Sequence, residues 1–132
     1  MTGLDTNILV RYFTRDDPKQ WKLVNTFLES NCDSKNSGWI SSIVLCEVVW
    51  VLSTGYEYSK SQIITLLNQL LLTAELRMEA HDTVRQVIKD YETGNADFSD
   101  YLIGRLNQKT GCETTITFDK KVAAHLSFTL LK

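Results

Sequence analysis

Short apolar runs alternate with longer amphipathic ones along this chain, a rhythm that predicts an α/β layer fold around a mainly parallel sheet. Residues 2–5 predict a first strand and residues 8–13 a short helix. Asp17-Pro18 supplies an N-cap followed by proline at the first helical position, opening a helix to about residue 30. A polar loop over 32–38 leads into a strand at 39–41, after which Ser41 or Ser42 caps the next helix. Ser59 with Gln62 three residues later forms a capping box. It introduces a helix over 63–72 with Leu66, Leu67, Leu70 and Leu71 as a wide stripe. A strand at 75–78 precedes an amphipathic helix at 82–92, with Val84, Val87, Ile88 and Tyr91 on one face. The helix at 97–110 closes on Gly111. A strand at 114–118, a short helix at 120–125 and a last strand at 128–131 complete the order.

One position breaks the pattern. Glu47 lies inside the apolar decapeptide 43–52, and a helix that is hydrophobic all round is a buried one. A buried carboxylate needs a partner or a metal, and the chain offers no cation in a comparably apolar setting. It does offer more acids. Asp5 follows Leu4 at the end of the first strand, Asp100 opens the apolar stretch 101–103, and Asp119 ends the run 114–118. Ligands of open α/β sheets bind beyond the carboxyl ends of the strands, where Asp5 and Asp119 sit. A helix dipole helps keep Asp100 ionised in its first turn. Four acids converging there point to a divalent-cation site.

Each acid also has a plainer reading. Asp5 and Asp119 can each serve as a helix N-cap, Asp97 can cap with Asp100 as a favourable acid in the first turn, and Glu47 could be a buried protonated acid or be paired with a distant base. Taken together, four separate explanations are the less economical account. Asp97 stays open between ligand and cap. Asp16-Asp17-Pro18 reads as a cap, and Glu29, Glu79, Asp90 and Glu92 as solvated helix faces. His81 and His125 are isolated, which gives no support to zinc or a histidine base.

Composition narrows the classes. The 132 residues, 43% hydrophobic and 23% charged, suit one domain over 1–132 with its own core. A single proline and six glycines leave no linker tract. The start lacks the basic and apolar regions of a signal peptide, and no apolar run is long enough to span a membrane. Three scattered cysteines fit a reducing cytoplasm rather than a disulfide or zinc framework. A net charge of −2 is not that of a protein gripping nucleic acid by bulk charge, although metal held by the acids would cancel part of it. No P-loop, dinucleotide-binding or serine-hydrolase motif is present.

The series Leu4-Asp5-Thr6-Asn7-Ile8-Leu9, a mid-helix Glu47, Ala96-Asp97-Phe98-Ser99-Asp100 and Thr117-Phe118-Asp119 resembles the PIN-domain family. More narrowly it is similar to the VapC-type toxin ribonucleases of toxin–antitoxin pairs, from Met1 to about His125. The resemblance implies a three-layer α/β/α sandwich with a mainly parallel four- or five-stranded sheet. It further implies a Mg²⁺- or Mn²⁺-dependent endoribonuclease, a homodimer inhibited by a cognate antitoxin. By the same resemblance Asp5, Glu47, Asp100 and Asp119 are the catalytic carboxylates and metal ligands, with Asp97 an additional acid. Thr6, Asn7 and Thr117 match positions that support those carboxylates.

Magnesium takes hard oxygen ligands and keeps several waters, so a few carboxylates suffice. Arg11, Arg15 and Lys120, with Lys19, Lys22 and Lys121, could track phosphates. Tyr12, Phe13 and Trp21 could stack bases, although packing is the stronger reading for Phe13 and Trp21. The leucine stripe at 66–72 is core, dimer interface or part of an antitoxin groove. Two rivals remain: a non-catalytic PIN-like module that binds RNA or protein, and a phosphotransfer domain. The second is disfavoured because the strand at 39–41 ends without an aspartate.

Overall fold

Polar caps set the helix boundaries in the computed structural model, which describes every residue from Met1 to Lys132. Seven helices and five strands occur in the expected order, and every strand pairing is parallel. The chain divides into two units, Met1–His81 and Asp82–Lys132.

The first unit contains β1 (Thr2–Gly3), α1 (Thr6–Thr14), α2 (Pro18–Asn31), β2 (Gly38–Ile40), α3 (Ser42–Thr54), α4 (Lys60–Leu72) and β3 (Leu76–Met78). Its sheet runs β1-β2-β3, with Thr2 opposite Gly38 and Trp39 opposite Arg77. β1 is short because Asp5 already takes the extended N-cap conformation of α1. Asp17 caps α2 by accepting from the Gln20 N–H, with Pro18 in the first turn. The capping box of α4 is present in full, the Ser59 hydroxyl and the Gln62 amide each serving the other's backbone. Leu9, Ile40, Leu45, Val48, Leu52, Ile63 and Leu67 have no exposed surface. The leucine stripe of α4 is therefore mainly core, with Leu66, Leu67 and Leu70 buried and Leu72 exposed.

The second unit contains most of α5 (His81–Thr93), then α6 (Phe98–Thr110), β4 (Thr115–Thr117), α7 (Lys120–Ala123) and β5 (Phe128–Leu130). β4 and β5 form a two-stranded parallel sheet with Thr115 opposite Phe128. α5 buries Val84, Val87, Ile88 and Tyr91, the face its periodicity predicts. α6 ends on Gly111, whose φ of 109° is the left-handed conformation that favours glycine. Gly104 lies where α6 meets β5. A Cβ there would overlap the Ser127 hydroxyl and stand 2.5 Å from Phe128 Cε2, so only glycine permits this approach.

Candidate active site

Within the first unit, Asp5 is the N-cap of α1, and its Oδ1 accepts a 2.8 Å hydrogen bond from the Thr6 N–H. The carboxylate is exposed, while the Thr6 hydroxyl beside it is buried and has no partner. A buried oxygen left unbonded at the foot of a carboxylate suits a site that acquires further ligands when loaded. Glu47 lies on α3, which packs against α1.

Here the structure corrects the sequence reading: Glu47 is exposed, not buried. α3 buries Leu45, Val48, Val49 and Leu52, whereas Ile43 and Trp50 are 74% and 68% exposed. Ile43, Glu47, Trp50 and Thr54 recur at helical spacing and make one open stripe, so a sequence apolar all round has a wet face. Glu47 has no burial cost to offset.

Within the second unit, Asp97 is the N-cap of α6 and Asp100 lies in its first turn. The Asp97 N–H donates to Asp100 Oδ2 at 3.2 Å. Asp119 caps α7, its Oδ1 accepting from the N–H groups of Lys121 and Val122, while its own N–H donates to Thr117 Oγ1 at 3.0 Å. Thr117 thus holds the backbone that carries Asp119 and does not bond its carboxylate. Burial pushes the Asp100 carboxyl above its ordinary range. The bond from the Asp97 N–H opposes this, and the charges of Asp97 and Asp119 add to the rise. Asp97, Asp100 and Asp119 therefore share one field. No three acidic, histidine or cysteine side chains in the chain stand preassembled as a metal cage. The donor chemistry nevertheless fits a hard divalent cation: the side chains are carboxylates, and the charges of Asp97 and Asp119 acting on Asp100 are ones a cation would offset.

The loop leading to Asp97 is held by a polar cluster that the sequence did not announce. Asp90, read as a solvated face, is half-buried and accepts two bonds from Arg105, at 2.8 and 2.9 Å. His125 Nε2 stands 3.2 Å from Asp90 Oδ1 without a well-aligned hydrogen bond. His125 Nδ1 lies 2.6 Å from the Ser127 hydroxyl and accepts from the Ser127 N–H, so it is not isolated. Burial raises the Asp90 carboxyl, but the Arg105 bonds and the close approach of His125 and Arg105 outweigh this and leave it below the ordinary carboxylate value. Tyr101 sets its ring edge-on to His125, and its hydroxyl accepts a 3.1 Å bond from the buried Ala96 N–H, one residue before Asp97. Gly94 makes room for that hydroxyl. A cleft of about 340 Å³ opens here, lined by Asn95, Tyr101, Lys121 and His125 among others. These partners are many residues apart, so no local signal revealed them. Glu79, read as a solvated helix face, is indeed exposed, but it lies in the turn after β3 and accepts from the Ser42 N–H at 2.7 Å.

The basic side chains divide. Arg11 is already engaged, bonding Gln20 at 2.6 Å and Tyr56 at 3.1 Å and standing 3.4 Å from Asp16. Arg15 lies over the Trp21 ring at 4.4 Å. Asn7, Lys120 and Lys121 are exposed. Tyr12 and Phe13 meet edge to face and are half-buried, as is Trp21, so these aromatics pack.

The pattern that defines the PIN domain matches residues 4–127. The chain belongs to the PIN domain family. That membership brings the three-layer α/β/α class with it, and the seven helices and parallel strands agree. The chain is also 22% identical over 121 residues to a VapC ribonuclease of Aquifex aeolicus (strain VF5), covering 92% of this chain and 89% of that protein. No helix is long and apolar enough to cross a membrane.

Proposed function

We propose that this PIN-family chain is a Mg²⁺- or Mn²⁺-dependent endoribonuclease, the toxin of a toxin–antitoxin pair. Its catalytic carboxylates and metal ligands are Asp5, Glu47, Asp100 and Asp119, with Asp97 as an additional ligand. The observation that carries this reading is the field shared by Asp97, Asp100 and Asp119: burial raises the Asp100 carboxyl first, the charges of Asp97 and Asp119 add to the rise, and a bound cation would offset those charges. Asp5, Glu47, Asp97 and Asp119 are exposed and Asp100 is half-buried, so the set is open to solvent. Asp5, Glu47, Asp97, Asp100 and Asp119 would hold a divalent ion, which would supply positive charge against the developing transition state and a more acidic water as nucleophile.

The chain's own residues do the positioning. Thr6, through its N–H, orients Asp5, and Thr117 orients Asp119. Asp97 holds Asp100 through its N–H and is itself placed by the Tyr101–Ala96 bond. Asn7 stands exposed beside Asp5, and Arg15 and Lys120 offer charge to the RNA backbone. Arg11 acts there only if its bonds to Gln20 and Tyr56 open. The similarity to a VapC ribonuclease supports the ribonuclease part of this reading, and the reading extends to a cytoplasmic homodimer silenced by an antitoxin protein.

The test is cleavage of a labelled single-stranded RNA with Mn²⁺, with and without EDTA. Cleavage that EDTA stops, and that Asp5→Asn and Asp100→Asn each abolish, is the expected result. Retained turnover in both variants defeats the assignment.

A further inference from the structure

We propose that Phe118 is a stacking platform for a base flanking the scissile phosphate of single-stranded RNA; this rests on the nuclease reading above. Phe118 is 80% exposed although it directly precedes Asp119. It forms the bend just past β4, two residues after Ile116, itself 55% exposed, while Thr117 between them holds the Asp119 N–H. Three bonds fix this short segment: Thr117 Oγ1 to the Asp119 N–H, and Asp119 Oδ1 to the Lys121 and Val122 N–H groups. The ring is therefore presented from backbone anchored on both sides of the acid, one residue and about 3.8 Å along the chain from it.

Charge complementarity selects the occupant. Lys120 and Lys121 follow at once and are exposed, giving an aromatic face beside two phosphate-seeking cations and a catalytic carboxylate. A base with its flanking phosphate matches that sequence of surfaces, because every base offers a π-face and a charged linker. Tyr12, Phe13 and Trp21 do not compete for the role, being packed against their neighbours.

The experiment uses the full chain with an RNA dodecamer carrying 2-aminopurine at successive positions. Binding is measured in the Asp100→Asn background, cleavage in the otherwise unaltered protein, and oligomeric state by light scattering. Phe118→Ala and Phe118→Leu should each weaken binding and raise KM about tenfold or more, and abolish 2-aminopurine quenching at one position, with kcat little changed. Phe118→Trp should restore all three. Leucine keeps the apolar surface without the π-face, so Phe118→Leu behaving as the parent overturns the proposal. So does a loss explained by a change from dimer to monomer, which would make Phe118 a contact between copies. If no RNA is cleaved yet binding still depends on the ring at 118, the nuclease reading fails and the platform stands. If cleavage is metal-dependent but indifferent to position 118, the reverse holds.

Discussion

Gly94 is the residue whose replacement reaches the acid-bearing loop most directly without touching an acid. A Cβ there would overlap the Tyr101 hydroxyl, stand 2.7 Å from Tyr101 Cζ and lie 3.0 Å from the Asp90 carbonyl oxygen. Tyr101 is 2% exposed and cannot swing into solvent. Overpacking of this kind costs about 1–3 kcal/mol. If the hydroxyl is pushed aside, the buried Ala96 N–H loses its acceptor at a further cost of about 1–3 kcal/mol. Gly94→Ala should then destabilise by roughly 2–6 kcal/mol in all. With an unfolding entropy of about 2.1 cal/mol/K per residue over this chain, the melting temperature should fall by roughly 7–22 °C. Tyr101→Phe removes the same hydrogen bond and costs about 1–3 kcal/mol alone. Both lesions act at one contact, so the double variant should be clearly less destabilised than the two together. Urea or thermal unfolding of the four proteins measures this. Additivity within about 0.5 kcal/mol would refute the account of Gly94 as the seat of the Tyr101 hydroxyl.

Three further outcomes follow from the charges. Because Asp100 has a raised pKa in the folded state, the fold holds that proton more tightly than the unfolded chain does. This contribution to stability fades as pH rises from about 3.9 through the folded value, and ionised Asp100 is a net burden above it. Metal-free Asp100→Asn should therefore unfold at higher temperature than the parent near neutral pH and lack that part of the pH slope; a lower melting temperature counts against the crowding. Arg105→Ala strands the half-buried Asp90 and should cost about 2 kcal/mol in urea unfolding. Asp90 is shifted down, so its contribution is present above about pH 4 and lost as pH falls through its folded pKa; the variant should show less acid sensitivity in that range. Glu47→Gln should leave the melting temperature unchanged, since the side chain is exposed, yet remove cleavage. Full activity there would exclude Glu47 from the site.

What could be read in advance was what is local in the chain. Asp17-Pro18, Ser41, the Ser59–Gln62 box and Gly111 fix element ends through contacts within a turn, and each lies where its type predicts. Asp5, Asp97 and Asp119 were legible as strand-end or helix-start residues because one residue can be both cap and acid. Glu47 was misread for a definite reason. When every side of a helix is apolar, periodicity carries no phase, and nothing local shows that Ile43, Glu47 and Trp50 share the open face. Asp90 failed otherwise: its partners Arg105 and His125 belong to distant turns, and only the fold brings them together. Phe118 looked like one more apolar strand residue until its exposure was seen.

The most direct test of the central claim is Mn²⁺ binding by the parent and by Asp5→Asn, Glu47→Gln, Asp100→Asn and Asp119→Asn, followed by calorimetry. The account predicts that the parent binds the ion and that each substitution weakens that binding while the protein stays folded. Binding unchanged by all four, or no binding by the parent, would contradict it.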